Sequence, residues 1–208
     1  MKLKVCGMRS AENIALLSNL SPDYMGFIFW KPSKRYVDKD TPVLPQNIKK
    51  TGVFVNDTEE YIMDTTERHQ LQAVQLHGEE HPLFCNKIRS TGIETIKAFA
   101  VDSNFDFSVL EPYENNCDYY LFDTKGDLPG GNGQRFDWSV LKDYPSGKPF
   151  FLSGGIGPGD QSAIASIISL NLPLYAVDIN SQFEVAPAIK DIEKIKEFKA
   201  IINEIPSR

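Results

Sequence analysis

The sequence lacks the long apolar runs of membrane proteins and the paired cysteines of disulfide-stapled secreted proteins. No stretch approaches the roughly 18 apolar residues of a spanning helix, and residues 1–7 lack the apolar core of a signal peptide. The three cysteines are an odd number at irregular spacing, which disfavours a disulfide framework. We therefore expect a cytoplasmic protein with no membrane partner.

Positive charge and histidine are also scarce. The formal net charge is -6 and no stripe of lysine and arginine is present, which disfavours a nucleic-acid partner. The only histidines are His69, His77 and His81, and they do not fall where strand ends would gather several ligands with carboxylates. We predict no metal site, and no Ser–His–Asp arrangement is suggested.

The usual nucleotide-binding motifs are missing as well. Cys6-Gly7-Met8-Arg9 is not the G-x-G-x-x-G turn of a dinucleotide fold. The glycine-rich segment Gly130-Gly-Asn-Gly133 lacks the Lys-Ser/Thr ending of a P-loop, so a nucleoside-triphosphate site is disfavoured.

What the chain does contain is a series of short apolar runs, most of which end in a reactive residue or a glycine. Such runs, separated by helical stretches, predict parallel strands buried on both faces. We place eight strands at about residues 2–6, 24–30, 50–55, 73–77, 94–100, 118–123, 149–153 and 174–179. Eight strand–helix units of about 26 residues predict a single α/β domain over residues 1–208, a (β/α)8 TIM barrel near the lower size limit. An open doubly wound sheet is the alternative.

Residues suited to begin a helix stand between most of these strands. They are Ser10, Asp57 with Glu60 as a capping box, Pro82, Asp137, Pro158 and Asp191. Segment 102–116, between the fifth and sixth strands, is a poor helix by propensity.

Two strand ends carry residues suited to proton transfer. Cys6 ends the first strand at the predicted mouth of the barrel, although most free cysteines are small buried hydrophobes. Asp123 closes a strongly apolar strand, where partial desolvation favours a carboxyl that holds its proton near neutrality. A helix cap or a turn is the alternative for Asp123.

Other strand ends are suited to binding anions. Loops after strands seven and eight of such barrels commonly bind phosphate, which makes Gly154, Gly155, Asp178, Asn180 and Ser181 candidates, with two ordinary turns as the alternative.

Two further residues are candidate substrate contacts. Arg35 could grip a carboxylate in a bidentate way, or it could be a solvated loop charge. His77 ends strand four, where a structural histidine is the simpler interpretation and a substrate contact the second.

A series of short motifs runs along the chain: Lys4-Val-Cys-Gly-Met8, Gly26-Phe-Ile-Phe29 with Ser33-Lys-Arg-Tyr-Val37, Gly52-Val-Phe-Val-Asn56, Val74-Gln-Leu-His-Gly78, Phe122-Asp-Thr124 with Gly130-Gly-Asn-Gly133 and Phe136-Asp-Trp138, Ser153-Gly-Gly155, and Val177-Asp-Ile-Asn-Ser181 with Glu184, Ala186-Pro187 and Lys190-Asp191. In these motifs the chain resembles the phosphoribosylanthranilate isomerase family. The motifs follow the family order from residue 4 to residue 191, so nearly the whole chain is covered.

The resemblance implies a TIM barrel of tryptophan biosynthesis that works without a cofactor. The implied reaction is the Amadori rearrangement of N-(5-phosphoribosyl)anthranilate, a phosphorylated small molecule, with Cys6 matching the general base and Asp123 the general acid. Arg35 matches the arginine at the anthranilate end, and the two phosphate loops match Gly154-Gly155 and Asp178–Ser181. The chain departs from the family pattern at Gln182-Phe183, where glycine is usual, and at Trp30–Ser33.

This chemistry sets expectations for pH and leaves rivals open. A free thiol titrates near about 8.5, so Cys6 needs nearby positive charge or a cationic intermediate, and we expect a bell-shaped pH dependence of kcat/KM. One rival is another phosphosugar barrel enzyme, such as an indole-glycerol-phosphate synthase using Lys97. A second is a non-catalytic phosphoribosyl-ligand binding protein, and the oligomeric state is expected to be a monomer or a homodimer.

Overall fold

Eight parallel strands close into a barrel in a computed structural model that describes residues 1–126 and 136–205. Closure occurs at β1, where Lys4 lies in register with Tyr24 of β2 on one side and with Asp178 of β8 on the other. The predicted TIM barrel is confirmed and the open sheet is wrong, while segment Gly130–Gly133 lies outside the described residues. The strands are β1 Lys2–Val5, β2 Tyr24–Ile28, β3 Lys49–Phe54, β4 Ala73–Leu76, β5 Glu94–Val101, β6 Tyr119–Thr124, β7 Phe150–Leu152 and β8 Leu174–Ile179.

The connections are less regular than eight strand–helix units. Residues 29–48 contain no helix, because Pro32, Pro42 and Pro45 remove backbone donors and restrict the residues before them. After β5 and β6 the described residues form 3-10 helices at Phe107–Tyr113 and Trp138–Asp143. The α-helices are α1 Ala11–Ser18, α2 Glu59–His69, α3 Pro82–Arg89, α4 Gln161–Ser169 and α5 Ile192–Glu204. No helix within residues 1–126 and 136–205 has both the length and the apolar character to cross a membrane.

Most predicted helix starts are confirmed, one is wrong by a residue, and α4 begins at Gln161, three residues after the predicted start at Pro158. The side chains of Ser10 and Asp191 accept from the third backbone N–H beyond them, as N-caps do. At α2 the cap is Thr58, whose hydroxyl accepts from the N–H of Tyr61. Asp57 instead turns back and accepts from the N–H of Val55, so the predicted capping box does not form.

Alternate residues of each strand point into the barrel. At the amino-terminal ends of the strands the interior holds interlocked rings of Tyr24, Tyr119, Phe151 and Tyr175, which we call the aromatic floor. Toward the carboxyl-terminal ends it holds charged and amide side chains. We call Lys4, Gln75, His77, Asp123 and Asp178 the mouth network.

Gln182-Phe183, where the chain departs from the family pattern after β8, lies in a short turn that packs against α5. Phe183 ends a 3-10 turn, is fully buried and packs its ring 4.9 Å from that of Phe198 in α5. The carbonyl of Phe183 also accepts from the N–H of Asp191 at 2.8 Å. A small antiparallel hairpin follows, with β9 at Glu184–Ala186 and β10 at Ile189–Lys190.

Candidate active site

Cys6 lies directly after β1, held against the neighbouring strands. Its backbone N–H donates to Ile179 of β8 at 2.9 Å, and the residue is 5% exposed. On the other side Gly26 of β2 faces it, where an added Cβ would come within 2.7 Å of the Cys6 sulfur. Glycine at position 26 therefore leaves the space that the thiol occupies.

Below the thiol lies a buried ion pair inside the barrel. The ammonium of Lys4 donates to Oδ2 of Asp178 at 2.8 Å and to Oε1 of Gln75 at 2.8 Å. The two charged side chains are 0% and 5% exposed. Burial lowers the pKa of Lys4, but the Asp178 and Cys6 groups beside it outweigh burial and leave that pKa above its ordinary value.

The second oxygen of Asp178 is buried and has no hydrogen-bond partner within the described residues. Burial raises the pKa of Asp178, the charge of Lys4 opposes this, and the carboxylate of Asp123 adds to the rise. Sequence reasoning placed Asp178 with the phosphate loop. Its side chain instead points into the barrel, where a second anion would be repelled, so direct contact with phosphate does not fit this geometry.

The mouth network continues from Gln75 to Asp123. The side-chain nitrogen of Gln75 lies 2.6 Å from Nδ1 of His77, and Nε2 of His77 lies 3.3 Å from Oδ2 of Asp123. Oδ1 of Asp123 accepts from the backbone N–H of Thr124 at 2.9 Å. His77 thus contacts the candidate acid Asp123, which favours a role in the mouth network over a direct contact with substrate.

The loop after β7 closes over Asp123. Gly154 and Gly155 have φ values of +88° and +64°, which side chains with a Cβ rarely adopt. A Cβ on Gly154 would lie 2.5 Å from the backbone nitrogen of Thr124 and 3.1 Å from Oδ1 of Asp123. Glycine is therefore required here both by backbone conformation and by the close approach of the two loops.

On the opposite side of Cys6, Arg35 is gripped by a carboxylate of the chain itself. Its Nε and Nη2 donate to the two oxygens of Glu184 at 2.8 and 2.6 Å. Lys190 donates to Glu184 at 2.8 Å and to the side chain of Asn180 at 2.6 Å. A Cβ on Gly7 would lie 2.6 Å from Cδ of Arg35 and 2.7 Å from Oδ1 of Asn180, so this cluster packs against the turn that follows Cys6.

Glu184 lies between the two cations of this second cluster and offsets one of their two positive charges. Hydrogen bonding to Glu184 raises the pKa of Arg35, whereas burial lowers the pKa of Lys190. For Glu184 burial alone raises the pKa, but the hydrogen bonds and charges of Arg35 and Lys190 outweigh it and hold the pKa below its ordinary value. Glu184 is therefore ionised at neutral pH and shared between two cations.

Comparison with known proteins identifies the family. The family model described as N-(5'-phosphoribosyl)anthranilate (PRA) isomerase matches residues 3–200. This chain belongs to the phosphoribosylanthranilate isomerase family. The N-(5'-phosphoribosyl)anthranilate isomerase of Parabacteroides distasonis is 42% identical over 206 residues, with 95% of this chain and 91% of the relative covered.

Solved structures agree with the family assignment. A crystal structure of phosphoribosyl anthranilate isomerase in complex with reduced 1-(o-carboxyphenylamino)-1-deoxyribulose 5-phosphate superposes with a TM-score of 0.79 at 33% identity, covering 98% of each chain. A crystal structure of monomers of the dimeric phosphoribosylanthranilate isomerase from Thermotoga maritima superposes with a TM-score of 0.78 at 31% identity, again over 98% of each chain.

Within this isomerase family site, the thiol is less acidic than a free cysteine. Burial raises the pKa of Cys6, and the ammonium groups of Lys4 and Lys190 offset the rise only in part. The expected positive charge is present, but desolvation exceeds it. Among the described residues, no group of three or more His, Cys, Asp or Glu could hold a metal ion.

Lys97, the residue that kept a synthase activity open, is already fully engaged. Its ammonium donates to Gly78 at 2.7 Å, to Ala98 at 2.9 Å and to the carboxylate of Glu80 at 3.0 Å. The side chain is 3% exposed and faces backbone carbonyls, so a role for Lys97 at the mouth is disfavoured.

Four polar residues of the site were not found by sequence reasoning: Lys4, Gln75, Glu184 and Lys190. A signal for Lys4 and Gln75 was present, because each lies two residues before a strand-end candidate and so shares its face of the strand. Glu184 and Lys190 stood in the family motif without an assigned role. Ser181 begins the 3-10 turn after β8 and is half-buried near the mouth.

Proposed function

We propose that this chain catalyses the Amadori rearrangement of N-(5'-phosphoribosyl)anthranilate to 1-(2-carboxyphenylamino)-1-deoxyribulose 5-phosphate, with Cys6 as general base and Asp123 as general acid. The observation that carries the proposal is the mouth network. It joins the ends of β1 and β6, more than one hundred residues apart in sequence, across one opening of the barrel. Family membership supplies the reaction class, an isomerisation of tryptophan biosynthesis.

The proposed reaction needs two proton transfers. Asp123 gives a proton to the ribose ring oxygen as the bond from that oxygen to C1 breaks, which leaves an iminium between C1 and the anthranilate nitrogen. The Cys6 thiolate then takes the proton from C2, and the electrons of that C–H bond neutralise the iminium to an enolamine. The enolamine tautomerises to the ketone by moving its hydroxyl proton to C1, so no oxidant or cofactor is consumed. The proton that the Cys6 thiol releases on becoming the thiolate returns the Asp123 carboxylate to its acid form, and the proton taken from C2 returns Cys6 to the thiol.

Electrostatics support this order of events. Because burial raises the pKa of Cys6, little thiolate is present before the cationic iminium forms. The positive iminium beside the thiol then supplies the charge that Lys4 and Lys190 only partly provide. The first proton transfer thus prepares the second.

The ends of the substrate are assigned from charge and shape. Backbone N–H groups of Gly154 and Gly155, with Ser181 across the opening, are proposed to hold the phosphate. Arg35 is proposed to receive the anthranilate carboxylate, with Glu184 fixing its guanidinium plane. The unpartnered oxygen of Asp178 is suited to accept from a ribose hydroxyl, because a buried acceptor without a partner costs about 1–3 kcal/mol.

The remaining assignments follow the same proposal. We propose that residues 1–208 form one catalytic domain that acts as a monomer or a homodimer and takes a phosphorylated small molecule without a cofactor. A cytoplasmic location suits Cys6, Cys85 and Cys117, which are all free thiols.

The decisive experiment supplies phosphoribosylanthranilate and follows the loss of its fluorescence. We expect Cys6→Ala and Asp123→Ala each to lower kcat by a factor on the order of 10² to 10⁴, the usual contribution of a positioned acid or base. Cys85→Ala is the matched control, since Cys85 is buried in α3 away from the mouth. Near-normal turnover of Cys6→Ala would remove the thiol from the mechanism, and indole formation would point to the synthase reaction.

The pH profile gives an independent check. Because the pKa of Cys6 is raised, the limb of the kcat/KM profile that reports ionisation of this thiol should lie above about pH 8.5, where an ordinary thiol is half ionised. Cys6→Asp, which replaces the thiol by a more acidic base, should move that limb to lower pH. A profile with the same basic limb in both proteins would contradict the assignment of Cys6.

A further inference from the structure

Neither member of the Lys4–Asp178 ion pair gives or takes a proton in the chemistry described above, yet the pair occupies the centre of the barrel. Interiors of such barrels are usually filled by branched apolar side chains. A buried ion pair is weak evidence for stability, because apolar residues of similar volume often replace one at no cost. With side chains 0% and 5% exposed, this pair calls for another explanation.

Lys4 is a neighbour of the Cys6 thiol. Lys4 lies in β1 and Cys6 directly after it, so their side chains leave the same face of the chain from Cα atoms about 6.6 Å apart, twice the rise of a strand. Cys6 contributes to the raised pKa of Lys4, and Lys4 lowers the pKa of Cys6, so the two groups sense each other directly. A thiolate at position 6 would have the ammonium of Lys4 as its nearest buried cation on β1.

Lys4 is also connected to Asp123, through a chain of hydrogen bonds whose donors and acceptors can be assigned. An ammonium can only donate, so the side-chain oxygen of Gln75 must face Lys4. The amide nitrogen of Gln75 then donates to Nδ1 of His77, which must be an acceptor. A neutral His77 consequently carries its proton on Nε2, the atom that lies 3.3 Å from Oδ2 of Asp123.

We propose that Lys4 is a positioning residue for both proton-transfer groups: its ammonium, balanced by Asp178, favours the thiolate of Cys6 and, through Gln75, fixes the tautomer of His77 that donates to Asp123. This inference rests on the proposed function for the roles of Cys6 and Asp123. Its contacts are independent of that function. The ammonium of Lys4 thus acts on the base together with Lys190, and it acts on the hydrogen bonding of the acid through Gln75 and His77.

The first test measures the thiol without using catalysis. Iodoacetamide labels Cys6 at a rate proportional to its thiolate fraction, and mass spectrometry identifies the labelled cysteine. At about pH 8, Lys4→Met should slow labelling by about tenfold, the change in thiolate fraction for one pH unit. Asp178→Asn should accelerate labelling by about the same factor, since it removes the opposing negative charge.

Opposite signs for the two partners of one ion pair are the diagnostic result. A structural role for the pair predicts changes of the same sign, because either substitution breaks the same contact. Equal signs, or no change in either variant, would overturn the proposal. If Lys4→Met does not fold, the Lys4 effect is taken from Lys4→Met/Asp178→Asn compared with Asp178→Asn, and the double variant must label more slowly.

General loosening of the barrel has its own controls. Labelling of Cys85 and Cys117 in the same sample reports opening of the buried interior. Lys50→Met removes another buried ammonium, but from a side chain that packs outward among Thr41, His69 and Phe27. That variant should leave labelling of Cys6 within about twofold of wild type.

The second test uses Gln75 to separate the two arms of the proposal: the effect of Lys4 on Cys6, and its effect on Asp123 through His77, which we call the acid arm. Gln75→Met keeps the ion pair but removes the bond to His77, so labelling of Cys6 should change by less than about twofold. Nitrogen chemical shifts of His77 should show one tautomer in the wild type and a mixture in the variant. An unchanged His77 spectrum would overturn the acid arm, whereas failure of the wild type to isomerise substrate would overturn only the proposed function.

Discussion

The aromatic floor and the mouth network lie inside the same barrel and share strands β6 and β8, yet they are held together by different forces. The floor interlocks the rings of Tyr24, Phe151 and Tyr175 at centroid distances of 5.3 to 6.4 Å. The mouth network replaces rings by charges and amides, and it leaves one oxygen of Asp178 without a partner among the described residues. Packing at one end therefore stabilises a barrel that carries expensive polar groups at the other.

Phe151 offers the sharpest test of this contrast between the aromatic floor and the mouth network. This side chain is fully buried and meets Tyr24, Tyr119 and Tyr175 within the floor. We expect Phe151→Ala to lower the free energy of unfolding by about 3–5 kcal/mol through lost burial and a cavity, and Phe151→Leu to cost less. The measurement is urea denaturation together with kcat per folded molecule.

Cys6→Ala should show the reverse of the Phe151→Ala pattern, with a large loss of kcat and a small change in the free energy of unfolding. If Phe151→Ala lowers kcat as strongly as it lowers stability, the two ends of the barrel are not separable and the contrast fails.

Sequence reasoning reached the two ends unequally. Apolar runs ending at Cys6 and Asp123 were enough to predict the barrel and both strand-end candidates, because parallel strands present their carboxyl ends on one face. Lys4 was missed because alternation of lysine with Leu3 and Val5 is typical of a strand with one solvated face. In a closed barrel that second face is the interior, so the pattern indicates a buried cation.

Contacts that join distant segments were beyond the sequence. Arg35 and Glu184 are 149 residues apart, and nothing local in either segment indicates that they meet. The predicted cap of α2 was wrong for a more local reason. Asp57 and Thr58 are both suitable N-caps, and the hydrogen bond from Val55 to Asp57 leaves Thr58 as the cap.

The mouth should be sensitive to acid, and Glu184 is the residue to test. Its pKa is lowered in the folded protein, so it contributes stability above the ordinary carboxyl value that is lost as pH falls through the folded value. At neutral pH, Glu184→Gln should cost about 1.5–3 kcal/mol, because charge-assisted bonds to Arg35 and Lys190 are weakened. The cost should shrink below about pH 4, where wild type also loses this charge.

Unfolding by urea at neutral and acidic pH checks this prediction. Glu193→Gln is the matched control, because Glu193 is exposed on the first turn of α5 and should change stability by less than about 0.5 kcal/mol. A cost for Glu184→Gln that stays constant with pH would mean that packing, and not charge, holds Arg35 in place.

The smallest expected effect concerns a polar contact of the floor, the one between Tyr24 and Tyr175. The hydroxyls of Tyr24 and Tyr175 lie 3.1 Å apart, and a neutral hydrogen bond of this kind contributes about 0.5–1.5 kcal/mol. Tyr24→Phe and Tyr175→Phe should each cost about that much. The double variant should cost less than the sum of the two single ones, because the first substitution already removes the bond that they share. Additive costs in the urea midpoints would show that the hydroxyls act through separate partners, and any loss of kcat would show that the floor reaches the chemistry after all.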